Sequence, residues 1–173
     1  IGENDYRYKG NADSCVSAKI KEVRILGFLD KMFNKKEKAS DNTVCAPVCG
    51  MLIDLKDFPD EVFRAGIIGP GCGILPEGEV IRAPFKGTVA ALPDSLHALG
   101  LQSDSGIELL IHVGIDTVTM EGKGFQALVK QGDTFEKGQK LLRFSKAEIE
   151  AAGFNTAVAV IVSNGAACGT VTT

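Results

Sequence analysis

The sequence predicts an all-β protein: an antiparallel β-sandwich or barrel with an internally duplicated motif and one or two short helices. Short apolar runs alternate with Gly, Pro and Asp turns from Val44 onward, the pattern of strands joined by tight connections. Glycine occurs 20 times and Trp not at all, which suits a turn-rich β protein better than a helical bundle. The third observation is a repeat: Ala46-Pro-Val-Cys-Gly-Met-Leu52 matches Ala83-Pro-Phe-Lys-Gly-Thr-Val89 at a spacing of 37. Each copy gives a Pro-led approach to a strand and a Gly turn, so two related β-motifs are expected to pack as one body.

In chain order, residues 52–55, 88–92, 99–102, 107–113, 140–144 and 158–162 are the apolar runs that read as strands. Ser103-Asp-Ser-Gly106 separates two of them and consists of turn formers, with Gly last to take a positive φ. Ser145-Lys-Ala-Glu-Ile-Glu-Ala-Ala-Gly153 is the convincing helix of the body. Ser145 stands at its N-cap, Glu148 at the capping-box position and Gly153 at its C-terminal end.

Residues 1–43 read as an N-terminal tail and linker ahead of a domain over 44–173. Residues 34–43 are polar and charged, as a linker is. Before them, Gly27-Phe-Leu-Asp-Lys-Met-Phe33 puts Phe28, Leu29, Met32 and Phe33 on one side of a helix, followed by Lys35, Lys36 and Lys38. Such a short basic amphipathic stretch over 27–38 gives at most a weak membrane-surface contact, or it rests on its own domain. Residues 1–25 show no periodicity. Lys21-Glu-Val23 is what a ribosome-binding sequence spells when read through, so part of this stretch is expected to be non-native, with Leu26 at a start codon.

Composition excludes several function classes. The 173 residues suit one domain with a real core. The net charge of −3 hides an asymmetry: residues 1–40 carry nine Lys and Arg against six Asp and Glu, and the rest carries ten against sixteen. An acidic body without a basic stripe repels phosphate backbones, so no nucleic-acid partner is expected. Five cysteines, an odd number without a dense framework, read as reduced thiols of a cytoplasmic protein. The longest apolar runs, such as 157–162, are far too short to span a bilayer, and no signal peptide is apparent.

Both histidines, His97 and His112, lie close together in apolar segments. If residues 103–106 form a four-residue hairpin loop, Gln102 pairs with Ile107 and the same register sets His97 directly opposite His112. Facing residues have Cβ atoms roughly 4.5–5.5 Å apart, so two imidazoles could share a hydrogen bond or a ligand. A slip of one residue would send them to opposite faces. Three readings stand at this point. A single histidine in an apolar strand is most often a satisfied core residue. A metal pair is the second reading, but zinc wants three or four ligands and no H-x-H or H-E-x-x-H supplies them; Cys45 and Cys49 form one loosely spaced pair. Phosphoryl chemistry is the third. A neutral imidazole nitrogen is a nucleophile that needs no base, and a second imidazole can donate to phosphoryl oxygens as charge shifts. No Walker-type loop is present, which favours a phosphoprotein donor over bound ATP.

Ile81-Arg-Ala-Pro-Phe-Lys-Gly-Thr-Val89, Ser95-Leu-His-Ala98, Ser103-Asp-Ser-Gly-Ile-Glu-Leu-Leu-Ile-His-Val-Gly-Ile-Asp-Thr-Val118 and Gly122-Lys-Gly-Phe125 resemble the glucose-type enzyme IIA of the bacterial phosphoenolpyruvate-dependent sugar phosphotransferase system. The similarity covers roughly 44–164, and the H-x-G-[ILV]-D-T-V segment is highly specific. The resemblance implies an antiparallel β-sandwich in which His112 receives a phosphoryl group from the histidine-containing phosphocarrier protein and passes it to a cysteine of enzyme IIB. It implies that His97 stabilises that group and that Ser95, at a position where Thr is common, orients His97. Asp60 and Asp116 match acidic residues that attract the phosphocarrier; Val62 and Phe63 match apolar residues that dock both partners. Regulatory binding to transporters or metabolic enzymes is also compatible. No cofactor is required, although zinc at His97 and His112, completed by a partner's carboxylate, is compatible with two facing ligands.

Two departures from the family pattern concern Pro93, at a position often aromatic, and a C-terminus that stops short of the usual closing strand. The Ala83-Pro-x-x-Gly-x-Val and 129–141 patterns also resemble half of a biotinyl or lipoyl carrier domain. No Met-Lys-Met or Asp-Lys-Ala stands at a hairpin tip to carry such a cofactor.

Overall fold

The computed structural model describes residues 43–165. The amphipathic segment 27–33, the tail 1–25, nearly all of the linker and the last eight residues lie outside the described residues. Among the described residues, ten strands, all paired antiparallel, form two sheets. The larger sheet holds β1 (Gly50–Asp54), β2 (Gly71–Pro76), β4 (Gly87–Ala91), β5 (Ala98–Ser103), β6 (Glu108–Val113), β8 (Thr134–Phe135) and β10 (Val158–Val162) in the order β1-β2-β10-β6-β5-β4-β8. The smaller holds β3 (Val80–Arg82), β7 (Phe125–Ala127) and β9 (Lys140–Phe144) in the order β3-β9-β7. All six apolar runs appear as strands, and an antiparallel β-sandwich with two short helices is the result.

Strand periodicity decides what packs where. In β6, Leu109, Ile111 and Val113 join the main core with Ile81, Leu141, Leu142 and Phe144 of the small sheet. The intervening residues of β6 point to the opposite face, where Leu110 packs against a second cluster built on Phe58, Phe63, Ala159 and Ile161. Strand β10 lies between β2 and β6 and is buried along its whole length. Its unbroken run of apolar residues follows from burial on both faces.

The repeat is physical. Arg82 N–H donates to the Pro47 carbonyl at 2.7 Å, and Cys45 N–H donates to the Pro84 carbonyl at 3.1 Å. At a spacing of 37, Cys45 corresponds to Arg82 and Pro47 to Pro84, so the two copies clasp one another reciprocally. The strands that follow also correspond. Gly50 pairs with Pro76 as Gly87 pairs with Ser103. A Cβ at either glycine would lie 2.2 Å from the Leu75 carbonyl oxygen or 2.0 Å from that of Gln102.

Two helices flank the sheets. In α1 (Glu61–Arg64), Asp60 is the N-cap and its Oδ1 accepts from Val62 N–H at 2.9 Å and Phe63 N–H at 3.0 Å. In α2 (Lys146–Ala151), Ser145 Oγ accepts from Glu148 N–H, and Gly153 has φ 87°. The caps of α2 agree with the signals at Ser145 and Gly153.

The hairpin register corrects the expectation. Ser103 N–H donates to the Ile107 carbonyl at 2.9 Å, and Gly106, at φ 88°, donates to the Ser103 carbonyl at 3.0 Å. The loop is therefore three residues, 104–106, with its last in the left-handed region. Ser103 stays in the strand because its Oγ also accepts from Ile107 N–H at 2.9 Å. The shorter loop moves the pairing by one: Ala98, not His97, is the strand partner of His112.

Candidate functional site

His112 projects from β6 on the face of the second cluster. Its ring meets that of Phe63, held by α1, with centroids 5.2 Å apart in an edge-to-face arrangement. The Nδ1 atom lies 2.8 Å from the Gly114 carbonyl oxygen. A carbonyl only accepts, so Nδ1 carries the proton and, in the neutral ring, Nε2 carries the lone pair.

By register alone His97 belongs on the other face, yet its ring stands 5.0 Å from that of His112 at 74°. The residue lies just ahead of β5, where strand alternation no longer holds. Leu96 sits in the left-handed region at φ 53° and packs against the main core. Leu96 thus fills the inward place, and the His97 ring reaches the site. The His97 carbonyl still accepts from Val113 N–H at 2.8 Å, which fixes its backbone to β6. Ser95 Oγ lies 2.7 Å from His97 Nδ1. When that hydroxyl donates, His97 keeps a proton on Nε2.

Both imidazoles are held below the ordinary histidine range. For His97 the cause is burial. For His112 burial is the largest cause, and the charge of His97 adds to it; the Gly114 carbonyl, Asp60 and Asp116 pull the other way. Neutral rings are therefore favoured near neutrality, with two carboxylates near enough to be felt. Asp60 unites two roles, as cap of α1 and as a negative charge beside His112. Asp116, at φ 58°, starts the 3-10 turn Thr117–Met120. Val62 is 52% exposed beside buried Phe63, and Val118 is 49% exposed. Phe63 and the two carboxylates thus border His112.

The structure thus assembles His97, His112, Ser95, Phe63, Asp60 and Asp116, and places exposed Val62 next to Phe63 in α1. Sequence reasoning missed Gly114, whose contribution is a backbone carbonyl that no residue type announces. Among the described residues, no group of three or more His, Cys, Asp or Glu is placed to hold a metal ion. No helix among them is long and apolar enough to cross a membrane.

A β-sandwich carrying two adjacent imidazoles, one with Nδ1 on a backbone carbonyl and the other with Nδ1 on a hydroxyl, is a histidine-centred domain. Residues 42–168 match the family described as phosphoenolpyruvate-dependent sugar phosphotransferase system, EIIA 1. The glucose-specific EIICBA component of the phosphotransferase system of Staphylococcus saprophyticus is 42% identical over 128 residues, 74% of this chain and 19% of that protein. The chain accordingly spans about a fifth of that relative's length. Glucose permease IIA from Mycoplasma capricolum has a similar structure, with a TM-score of 0.65 and 33% identity over 70% of this chain and 80% of that one. This chain belongs to the EIIA 1 family of the phosphoenolpyruvate-dependent sugar phosphotransferase system.

Proposed function

We propose that the protein is a phosphoryl carrier in sugar uptake, with His112 as the residue that takes and gives the group. The observation that supports this most directly is the Nδ1 contact of His112 with the Gly114 carbonyl, which leaves Nε2 as the nucleophile. In the first step Nε2 attacks the phosphorus of a phosphohistidine on the phosphocarrier protein. The donor P–N bond breaks with its electron pair returning to the donor ring, and a P–N bond forms on His112. In the second step a cysteine thiolate of enzyme IIB attacks, forming an S–P bond as the bond to His112 breaks. His97 donates from Nε2 to the phosphoryl oxygens, and Ser95 keeps it oriented for that task.

Asp60 and Asp116 would attract a cationic side chain of the phosphocarrier protein, and Val62 and Phe63 would dock both partners. The acting unit is residues 44–173, preceded by the tail and linker 1–43, and it works in the cytoplasm. Its relatives named for glucose suggest a hexose system. Zinc is not needed for these steps; an ion at His97 and His112 would have two ligands from this chain and would take the rest from a partner.

The test is phosphorylation by phosphoenolpyruvate, enzyme I and the phosphocarrier protein, read by intact mass and acid-lability. Wild type should gain one acid-labile phosphoryl group, His112→Ala none, and His97→Gln should accept the group but pass it on poorly. A wild type that stays unmodified beside active donors rules the reading out.

A further inference from the structure

Among the described residues, only Ser103 and Thr117 are polar and buried. Ser103 is accounted for by the hairpin that it closes. Thr117, with no exposed surface, lies five residues beyond His112 and touches the backbone that serves it. Its hydroxyl donates to the Val113 carbonyl at 2.6 Å.

Gly114 sits between two peptide planes, each gripped on both sides. The first contains the Val113 carbonyl and the Gly114 N–H. That N–H donates to the Ala157 carbonyl at 2.9 Å, and the carbonyl is held by Thr117. The second contains the Gly114 carbonyl and the Ile115 N–H. That N–H donates to the Asn155 carbonyl at 3.0 Å, and the Gly114 carbonyl meets His112 Nδ1. The strand β10 side supplies one grip on each plane; among the described residues, Thr117 is the only side chain besides His112 that supplies another. Its methyl carbon would lie 2.4 Å from a Cβ on Gly114, which has φ 76°, so it also occupies the space under that residue.

We propose that Thr117 is the positioning residue that fixes the tautomer of His112. Its hydroxyl and methyl lock the two planes around Gly114, so that the Gly114 carbonyl stays on Nδ1 and Nε2 keeps its lone pair toward the partner. Without the hydroxyl, the Val113 carbonyl is buried with one donor fewer and its plane is driven to turn toward another, carrying the Gly114 carbonyl off Nδ1. The inference rests on His112 being the phosphoryl acceptor.

The experiment is a ¹⁵N–¹H correlation spectrum of the imidazole nitrogens in the neutral range, combined with the rate of phosphoryl uptake from the phosphocarrier protein. Wild type should show His112 as the Nδ1–H tautomer. Thr117→Val, which keeps the shape and loses the hydroxyl, should show a tautomer mixture and uptake slowed about ten- to a hundredfold. Thr117→Ser, which keeps the hydroxyl, should restore the tautomer. A folded Thr117→Val with the wild-type tautomer overturns the inference. If Thr117→Val does not fold, Thr117→Ala is read in the same way, and an unchanged tautomer there overturns it equally. The two readings fail separately: tautomer control without any uptake by wild type removes the acceptor role, whereas uptake at His112 with a tautomer indifferent to Thr117 removes only the positioning role.

Discussion

The rings of His97 and His112 stand 5.0 Å apart, so a proton on one opposes a proton on the other. Burial is the larger cause holding His112 down, but the charge of His97 contributes. Replacing His97 by Gln removes that charge and should raise the titration midpoint of His112, followed by its ring proton shifts across the pH range. Asp116→Asn should move the same midpoint downward, because the Asp116 charge pulls it up. A His112 midpoint indifferent to both changes would refute the coupling.

The same depression has a consequence for folding. Both histidines titrate below the ordinary value of 6.5 in the native state, so between the folded and unfolded values the unfolded chain binds more protons. Stability is therefore present above about 6.5 and declines as pH falls through the folded values. Urea unfolding midpoints measured on either side of that window should fall on the acid side by less in His112→Gln than in wild type. An equal fall in both would place the acid sensitivity elsewhere.

Ser95 holds His97 through a single contact at 2.7 Å. Ser95→Ala should leave phosphoryl uptake by His112 near normal and slow transfer to enzyme IIB by roughly tenfold, as loss of an orienting partner does. Ser95→Thr should match or exceed wild type. Single-turnover transfer with purified enzyme IIB separates these outcomes, and a wild-type rate in Ser95→Ala would make the contact dispensable.

Asp60 combines cap and charge, and two substitutions separate them. Asp60→Ala should cost about 1 kcal/mol through the lost cap on α1, read as a lowered thermal midpoint. Asp60→Asn keeps a side-chain acceptor for Val62 and Phe63 and should melt close to wild type. Both should weaken phosphocarrier binding and flatten its salt dependence. Unchanged binding in Asp60→Asn would leave the residue with a structural task alone.

Gly50 and Gly87 occupy equivalent places in the two copies, each against a partner-strand carbonyl. Alanine at either should destabilise by about 2–3 kcal/mol as strands are pushed apart, and the two losses should be similar in denaturant unfolding. A negligible loss at one alone would show that its hairpin can shift.

The apolar runs made the strands legible because a half-buried strand writes its period into sequence. Strand β2 was not legible: Gly71 and Gly73 interrupt its apolar pattern, and their close packing against β10 and Phe58 is visible only once the chain is folded. The proximity of the histidines was read through a register that was off by one. It survives because Leu96 leaves regular strand geometry, an irregularity that apolar patterning does not encode. Asp60 stood out as a charge through the family resemblance alone; α1 is a single turn, Glu61-Val-Phe-Arg64, too short to write a helical period into the sequence. The Gly114 carbonyl and the buried hydroxyl of Thr117 act through the backbone, where residue identity says little.

The pairing of β4 with β5 shifts at Ala90, between Val89 and Ala91, whereas β1 pairs with β2 straight through Ile53. Six residues before Ser103 stands His97; six before its counterpart Pro76 stands Pro70. Their carbonyls are used alike, the first by Val113 N–H and the second by Val162 N–H, both at 2.8 Å. The frame was laid down twice, but only one half was furnished with an imidazole and the irregular lead-in that aims it. A second working site could not be created by exchanging Pro70 for histidine alone; the first half would also need its own version of the bend at Leu96 and an acceptor for the opposing ring.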